Sequence, residues 1–305
     1  MELPNHFEYQ LRATCLCGAE LNSVSKKVTK IFSWGEVTFL RCQNCGSWCQ
    51  SPMVSMASLA CWFDSEEYQG SHSSPGVAYT NYSKDEAHRV AEARIRYQRD
   101  LAPLLLRRSR ILEVGCATGS LLSVLRDEGH QVTGIDLSER FIRAARALYG
   151  LDVIRGDFMT IPLPEASFDA IVLMGTVSNL RFLNDSLKRM RKLLRRGGVL
   201  IFNFSNADSV WVRVFYREGF WMFTPSAPTF MTVRGCTTVL ANAGFNKVSI
   251  RNDLQRPSFR KLLHHGKADF LLPVINALSL ADAALPLAIP MPTIKLVIAH
   301  SYDNT

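Results

Sequence analysis

One run, residues 111–120, constrains the fold of this chain more than any other part of it. An apolar stretch over 111–114 suits a buried parallel strand, and a helix opens at Ser120. The turn between them carries small residues at alternate positions, Gly115, Ala117 and Gly119. Small residues let the backbone approach a ligand, and free N–H groups at a helix N-terminus favour negative charge. The run therefore predicts a nucleotide-binding turn.

The spacing within the turn separates two kinds of nucleotide site. A dinucleotide fingerprint requires G-x-G-x-x-G, whereas this chain has G-x-A-x-G, and Ser120 stands where the last glycine would be. The shorter turn, preceded by Glu113, resembles motif I of the class I S-adenosylmethionine-dependent methyltransferases. The alternative is a tight strand-to-helix turn that binds no ligand.

Two acidic residues downstream favour the ligand-binding interpretation. Asp136 ends a second strand, 131–135, and lies 21 positions after Gly115. A carboxylate at this place can accept hydrogen bonds from both hydroxyls of a ribose. Asp157 follows a third short strand, 151–155. The resemblance implies that Asp157 contacts the adenine amino group and that Phe158 contacts the adenine ring.

Further strands at 168–174, 198–203, 244–250 and 293–299 alternate with helical segments. This alternation predicts an α/β fold with a parallel sheet covered by helices on both faces. The resemblance, which covers residues 84–305, makes it a Rossmann-like class I methyltransferase sheet. It also implies a set of cofactor-binding residues: Glu113, Gly115, Cys116, Ala117, Gly119, Asp136, Leu137, Asp157, Phe158 and Met174.

Two close cysteine pairs mark the first fifty residues. The pairs are Cys15 and Cys17, and Cys42 and Cys45, each followed by glycine, with strand-like segments at 27–34 and 37–41 between them. This layout resembles a zinc ribbon, in which four thiolates surround a tetrahedral zinc ion. The first pair is C-x-C rather than C-x-x-C, which leaves open a substitute ligand, for which Cys49 is available, or a ribbon that has lost its metal.

We expect three segments along the chain. Residues 1–50 form the zinc-ribbon-like module, 51–83 a linker that covers the cofactor, and 84–305 the methyltransferase domain. A long helix is expected over 84–106, and Tyr82 just before it is a candidate to lie over the cofactor.

The catalytic residues are not identified by the sequence. Relatives in the resembling family commonly carry Glu-His after the fourth strand, whereas this chain has Ser178 and Asn179. An asparagine can orient a hydroxyl but cannot take its proton. The candidates are Asn179, Tyr82 and His88, with His264 and His265 as further histidines.

Composition limits partners and compartment. The net charge is +8, but the basic run at 188–196 has the spacing of a helix with a solvated face, and we expect Arg195 and Arg196 at its C-terminal end. Nucleic acid is the less favoured partner. The N-terminus lacks a secretory signal, and paired cysteines without a disulfide pattern indicate the cytoplasm. The apolar stretch 268–292 contains Asp282 and Pro286, so peripheral membrane contact is open but a membrane span is not expected.

The expected activity is methyl transfer from S-adenosylmethionine to a small-molecule or glycan acceptor, with structural zinc. The combination of ribbon, domain and apolar insertion is similar to bacterial methyltransferases associated with sugars and surface polysaccharides. Two alternatives stay open: an rRNA or tRNA methyltransferase, and a non-catalytic scaffold that retains the cofactor fold.

Overall fold

Three β-sheets, of two, four and seven strands, organise the described part of the chain. The computed structural model describes residues 6–21, 24–65, 68, 86–210, 212, 223–255, 271, 274 and 289–301. No helix among these residues is long and apolar enough to cross a membrane.

The N-terminal region is a small β-structure with one helix. Its elements are β1 (Tyr9–Gln10), β2 (Val24–Phe32), β3 (Gly35–Cys42), β4 (Trp48–Gln50), β5 (Met53–Val54) and α1 (Met56–Asp64). Strands β2 and β3 form an antiparallel hairpin in which Phe32 is paired with Gly35. The two strands predicted between the cysteine pairs are therefore present, with the turn at Ser33 and Trp34.

The remaining helices are α2 (Glu86–Arg96), α3 (Ser120–Asp127), α4 (Glu139–Tyr149), α5 (Leu183–Leu193) and α6 (Val233–Asn242). The remaining strands are β6 (Arg110–Val114), β7 (Gln131–Asp136), β8 (Val153–Arg155), β9 (Phe168–Leu173), β10 (Leu194–Ser205), β11 (Thr229–Phe230), β12 (Lys247–Gln255) and β13 (Ile289–His300).

The large sheet has the order β12-β13-β10-β9-β6-β7-β8. Its pairs from β8 to β10 are parallel, and β13 runs antiparallel to both of its neighbours. This arrangement confirms the predicted parallel sheet. It brings the carboxyl ends of β6, β7, β8 and β9 to one edge, where open α/β sheets bind their ligands.

Alternating side chains of the sheet pack against helices on opposite faces. Ile111 and Val172 join a buried cluster with residues of α2 and α3. Leu112 and Ile171 face the other way and pack with residues of α5 and α6. Because successive strand residues point to opposite faces, both sides of β6 and β9 are buried, as the predicted fold requires.

Two local predictions were wrong. The helix expected over 84–106 leaves the α-helical pattern at Tyr97 and continues as a π-helical turn, Tyr97–Leu101, and a 3-10 turn, Ala102–Leu104. Pro103 lacks the N–H that would continue an α-helix. In the basic run, α5 ends at Leu193 and β10 begins at Leu194, so Arg195 and Arg196 lie on a strand.

The four-stranded sheet joins the N-terminal region to the large domain, because one of its strands, β11, comes from the large domain. Strand β11 pairs with β4, giving the order β11-β4-β3-β2. The Thr232 hydroxyl donates to the Cys45 carbonyl at 2.6 Å, and the Asn184 amide donates to the Leu16 carbonyl at 2.8 Å. The cysteine loops are therefore held against α5 and the start of α6.

Candidate functional site

The glycine-rich turn is held to the end of β7 by three backbone donors. Gly115 N and Cys116 N donate to the Ile135 carbonyl at 2.8 and 3.2 Å. Ala117 N donates to Asp136 Oδ2 at 2.8 Å. Gly115, Ala117 and Gly119 all have positive φ, of 72°, 49° and 80°. Alternate residues of the predicted turn are thus left-handed, and the turn is hydrogen-bonded directly to Asp136 at the end of β7.

Protein side chains occupy the space that the two glycines leave free. A Cβ at Gly115 would lie 2.6 Å from Thr176 Oγ1 and 3.0 Å from Thr176 Cβ. A Cβ at Gly119 would lie 2.6 Å from Leu151 Cδ1. The sequence analysis explained these glycines by the close approach of a ligand. The structure adds a second reason, because neighbouring side chains leave no room for a Cβ at either position.

Asp136, the last residue of β7, contacts the turn through its carboxylate. Besides Ala117 N, its carboxylate accepts a hydrogen bond from Ser138 N at 2.9 Å. Burial raises the pKa of Asp136 to about 6, although these N–H groups oppose the rise. Each carboxylate oxygen has two lone pairs, so the group retains acceptor capacity for ribose hydroxyls.

Asp64, at the end of α1, holds the loop after Asp136 from the N-terminal side. Its Oδ1 accepts from the Ser138 hydroxyl at 2.5 Å, and its Oδ2 accepts from Glu139 N at 3.3 Å. A carboxylate at a helix N-terminus is stabilised by the helix dipole. No sequence pattern marked Asp64, because the contact joins segments 74 residues apart.

Glu113, the carboxylate before the turn, is buried, and no described group hydrogen-bonds its Oε2. Burial, reinforced by the nearby charge of Asp136, raises its pKa to about 8. The side chain is therefore mostly protonated at neutral pH. A cationic group bound beside it would favour its ionised form.

A second carboxylate, Glu86 of α2, lies at the N-terminus of α3. It accepts from Ser120 Oγ at 2.7 Å and Thr118 Oγ1 at 3.0 Å, and also from Tyr149 and Arg89. Burial alone would raise the pKa of Glu86, but the hydrogen bonds from Tyr149, Ser120 and Arg89 outweigh it and lower that pKa. Sequence reasoning missed this residue.

Asp157 and Phe158 lie after β8, as expected. The Asp157 carboxylate accepts from Met159 N at 2.9 Å. Phe158 is buried, and the Arg189 guanidinium carbon stands 5.2 Å from its ring centroid. Of the other expected cofactor residues, Leu137 packs on the N-terminal core and Met174 on the core beneath α2 and α3.

Two candidate catalytic residues, Asn179 and His88, are among the described residues, and no hydrogen bond or ion pair joins them. Asn179 ends the 3-10 turn Val177–Asn179, and its backbone N–H bonds the Thr176 carbonyl at 2.8 Å. His88 lies on α2 with its Nε2 3.6 Å from Glu92. Tyr82, His264 and His265 fall outside the described residues, as does most of the segment 268–292.

A series of hydrogen bonds that the sequence did not reveal starts at Gly175, just before the 3-10 turn Val177–Asn179. Gly175 N donates to Asn203 Oδ1 at 2.7 Å, and Asn203 Nδ2 donates to Asp253 Oδ2 at 3.0 Å. Arg96 binds both oxygens of Asp253 at 3.0 Å. Charge pairing with Arg96 lowers the pKa of Asp253 despite its burial. These hydrogen bonds fix the loop after β9 to α2 and β12.

The four cysteines of the N-terminal pairs converge on one point. The Sγ atoms of Cys15, Cys17, Cys42 and Cys45 all lie within 4.8 Å of one another. The Cys15–Cys45 and Cys17–Cys42 sulfur pairs are 3.5 and 3.7 Å apart. Zn–S bonds of about 2.3 Å in a tetrahedron require sulfurs roughly 3.8 Å apart, so the cluster fits a zinc ion.

Cys49 is the fifth thiol of the cluster. Its Sγ lies 3.6 Å from that of Cys15, and the residue is fully buried. It is therefore close enough to interact with a ligand thiolate.

Taken together, this strand order and a glycine-rich turn fixed to an acidic strand end define a nucleotide-binding α/β fold of the methyltransferase type. Residues 112–202 match a family model described as a methyltransferase domain. The match shows a methyltransferase domain over this part of the chain.

Individual relatives are similar over the same region. The malonyl-[acyl-carrier protein] O-methyltransferase of Enterobacter lignolyticus is 36% identical over 103 residues, 33% of this chain and 41% of that protein. The ubiquinone biosynthesis O-methyltransferase of Bordetella avium is 29% identical over 128 residues, 40% of this chain and 52% of that protein. The chain thus matches about half the length of these curated relatives.

A solved structure extends the similarity of fold. An S-adenosylmethionine-dependent methyltransferase of Thermotoga maritima superposes with a TM-score of 0.51 and 19% identity. The match covers 72% of this chain and 95% of that one. At this identity the match supports the fold alone.

Proposed function

We propose that this protein transfers the methyl group of S-adenosylmethionine to a small-molecule acceptor. The observation that carries the proposal is the fixed geometry of the turn 115–119 with Asp136. Three residues of this turn have positive φ, and the Ala117 N–H is hydrogen-bonded to the Asp136 carboxylate at the carboxyl edge of the sheet.

The residues present fit this cofactor at several atoms. Asp136 retains lone pairs for the ribose hydroxyls, and Asp157 lies at the neighbouring strand end for the adenine. The buried Glu113 carboxyl lies on β6, just before the turn. The cationic methionyl part of a cofactor bound beside it would favour its ionisation. When bound, the cofactor supplies an electrophilic methyl group on a sulfonium.

The protein's contribution to such a transfer is alignment and exclusion of water. The loop that begins at Gly175 is anchored through Asn203 and Asp253. It follows β9, so its backbone is positioned to border the acceptor site. The described residues of this loop include no histidine or carboxylate that would serve as a general base.

The acceptor itself is part of the proposal. The two curated relatives described above are named for O-methylation of malonyl-acyl carrier protein and of a ubiquinone precursor. Their names support an oxygen acceptor. We retain a sugar or glycan as the finer proposal, supported by the ribbon-like module and its resemblance to sugar-associated methyltransferases. A structural zinc ion at the four cysteines is proposed with it.

Calorimetric titration with S-adenosylhomocysteine tests the cofactor site. Asp136→Ala should abolish detectable binding while the protein keeps its folded circular dichroism spectrum. Asp152→Ala is the matched control, because Asp152 is an exposed carboxylate paired with Arg146 on the surface. Unchanged affinity in Asp136→Ala would refute the assignment, and turnover of S-adenosylmethionine with an acceptor panel would exclude a non-catalytic scaffold.

A further inference from the structure

Arg181 is a buried cation that forms no ion pair with a carboxylate in the described part of the chain. The residue is 8% exposed, and no described carboxylate lies within the 4.0 Å of an ion pair. Its Nη2 donates to Gln10 Oε1 at 2.6 Å. Its Nε is enclosed and donates to no described atom. One of the five N–H donors of a guanidinium therefore has a protein acceptor here.

Two other largely enclosed arginines show how this protein normally satisfies such a group. Arg96 binds both oxygens of Asp253 at 3.0 Å. Arg189 donates to the carbonyls of Met159, at 2.9 Å, and Ile161, although its Nε also has no described partner. Arg181 has one neutral amide oxygen instead. Burying an unpaired charge has a steep free-energy cost, so an anionic group supplied from outside the described chain would explain its retention.

The position of Arg181 places it at the ligand-binding edge of the sheet. It follows the 3-10 turn Val177–Asn179, which leads directly out of the loop after β9. In the same loop, Thr176 donates to the Gly115 carbonyl at 3.2 Å. Burial lowers the pKa of Arg181, and Asp157 is the acid whose charge opposes this. Arg181 therefore lies between the glycine-rich turn and the loop that follows β8.

The surroundings of the guanidinium suit a ligand that is anionic and organic. The guanidinium carbon stands 5.3 Å from the ring centroid of Phe182, which is 41% exposed. A planar guanidinium binds carboxylate or phosphate through paired N–H groups, and it can stack on an aromatic ring at the same time. Phe182 offers an accessible apolar surface beside the charge.

We propose that Arg181 binds a carboxylate or phosphate group carried by the methyl acceptor. The proposal rests on the methyltransferase function proposed above and assigns its acceptor to the anionic class. The alternative is a purely structural role, in which Arg181 only joins the loop after β9 to Gln10 of β1.

Titration of the full-length protein with malonate and, separately, with inorganic phosphate tests the proposal. Both are measured by calorimetry in the presence of saturating S-adenosylhomocysteine. We expect one of the two anions to bind at one site per chain. Arg181→Met, which keeps an unbranched apolar stem but removes the guanidinium, should weaken that binding about tenfold or more. Malonate binding would indicate a carboxylate acceptor, and phosphate binding a phosphorylated one.

Gln10→Ala is the matched control, because it removes the protein partner of Arg181 and leaves the charge in place. It should retain anion binding under the proposal. Loss of anion binding in Gln10→Ala equal to that in Arg181→Met would favour the structural role and overturn the proposal.

Absence of saturable anion binding in the wild-type protein overturns the proposal without any variant, as does equal affinity in Arg181→Met. Arg181→Lys, which keeps the charge, covers the case in which the methionine variant does not fold, and it should retain weakened binding. Failure of S-adenosylhomocysteine to bind in the same samples would instead count against the methyltransferase function, so the two failures are distinguishable.

Discussion

The turn at Gly115 allows the steric and conformational reasons for a glycine to be separated experimentally. Gly115 has φ of 72° and Gly150, the C-terminal cap of α4, has φ of 62°. Left-handed backbone costs a non-glycine residue roughly 1–2 kcal/mol, so alanine should incur a similar conformational penalty at both positions. The positions differ in space. A Cβ at Gly115 meets Thr176 Oγ1 at 2.6 Å, whereas no described atom lies within 4 Å of a Cβ at Gly150.

The difference between the two substitutions therefore measures the steric term. Forcing extra atoms into a packed site typically costs about 1–3 kcal/mol. Thr176 cannot move aside without weakening its hydrogen bond to the Gly115 carbonyl, worth about 1 kcal/mol. We expect Gly115→Ala to lower the free energy of unfolding by about 2–5 kcal/mol and Gly150→Ala by roughly 1–2 kcal/mol.

Urea unfolding of the two single variants, of Thr176→Gly and of the double variant Gly115→Ala/Thr176→Gly provides the measurement. Removing the threonine side chain should recover part of the loss, with a coupling free energy of roughly 1–3 kcal/mol between the two positions. Equal destabilisation at Gly115 and Gly150, together with no coupling to Thr176, would refute the packing argument.

Three further outcomes follow from the same geometry. Because burial raises the pKa of Asp136 to about 6, S-adenosylhomocysteine affinity should fall about tenfold per pH unit below that value, and calorimetry should show this dependence lost in Asp136→Asn. Glu113 has a pKa of about 8, above its ordinary 4.5, so in that interval the folded state holds a proton that the unfolded state has lost. Asp136 contributes a slope of the same sign only below about pH 6, so the Glu113 effect is isolated above it. Stability should therefore fall by about 1.4 kcal/mol per unit as pH rises from 6 to 8, and urea unfolding of Glu113→Gln should lack this slope in that range. If the four cysteines hold zinc, metal analysis should find one ion per chain and Cys42→Ser should lose it and melt earlier, whereas Cys61→Ser, outside the cluster, should retain it.

The sequence predicted the parts of the site that are local in the chain. The turn, the strand end at Asp136 and the caps of α4 depend on residues a few positions apart. Ser138 accepts from Phe141 N at 3.2 Å, and Gly150 is left-handed, as their types indicated. The spacing of the two cysteine pairs also predicted that they converge. One pair precedes the β2–β3 hairpin and the other lies at its end, so the hairpin brings them together.

Contacts between distant segments could not be predicted in this way. Asp64 reaches Ser138 and Glu86 reaches Ser120 through docking of helices whose relative positions no short pattern specifies. The break in helix geometry at Tyr97 also involves a distant segment. The π-helical turn places Asp100 within reach of Arg99 and Arg251, and Arg251 belongs to β12, more than 150 residues away. These long-range ion pairs accompany the break, beside the local effect of Pro103.

The absence of a Glu-His pair after β9 becomes informative when it is combined with Arg181. A sugar hydroxyl must lose its proton during methyl transfer, which requires a base, and Ser178 and Asn179 cannot provide one at neutral pH. A carboxylate or phosphate group is already ionised at neutral pH. An enzyme that binds such an acceptor needs a cation to position it. Arg181 is such a cation and lies two residues after Asn179. The missing base and the buried Arg181 guanidinium therefore both agree with the proposed acceptor, which carries a carboxylate or phosphate group.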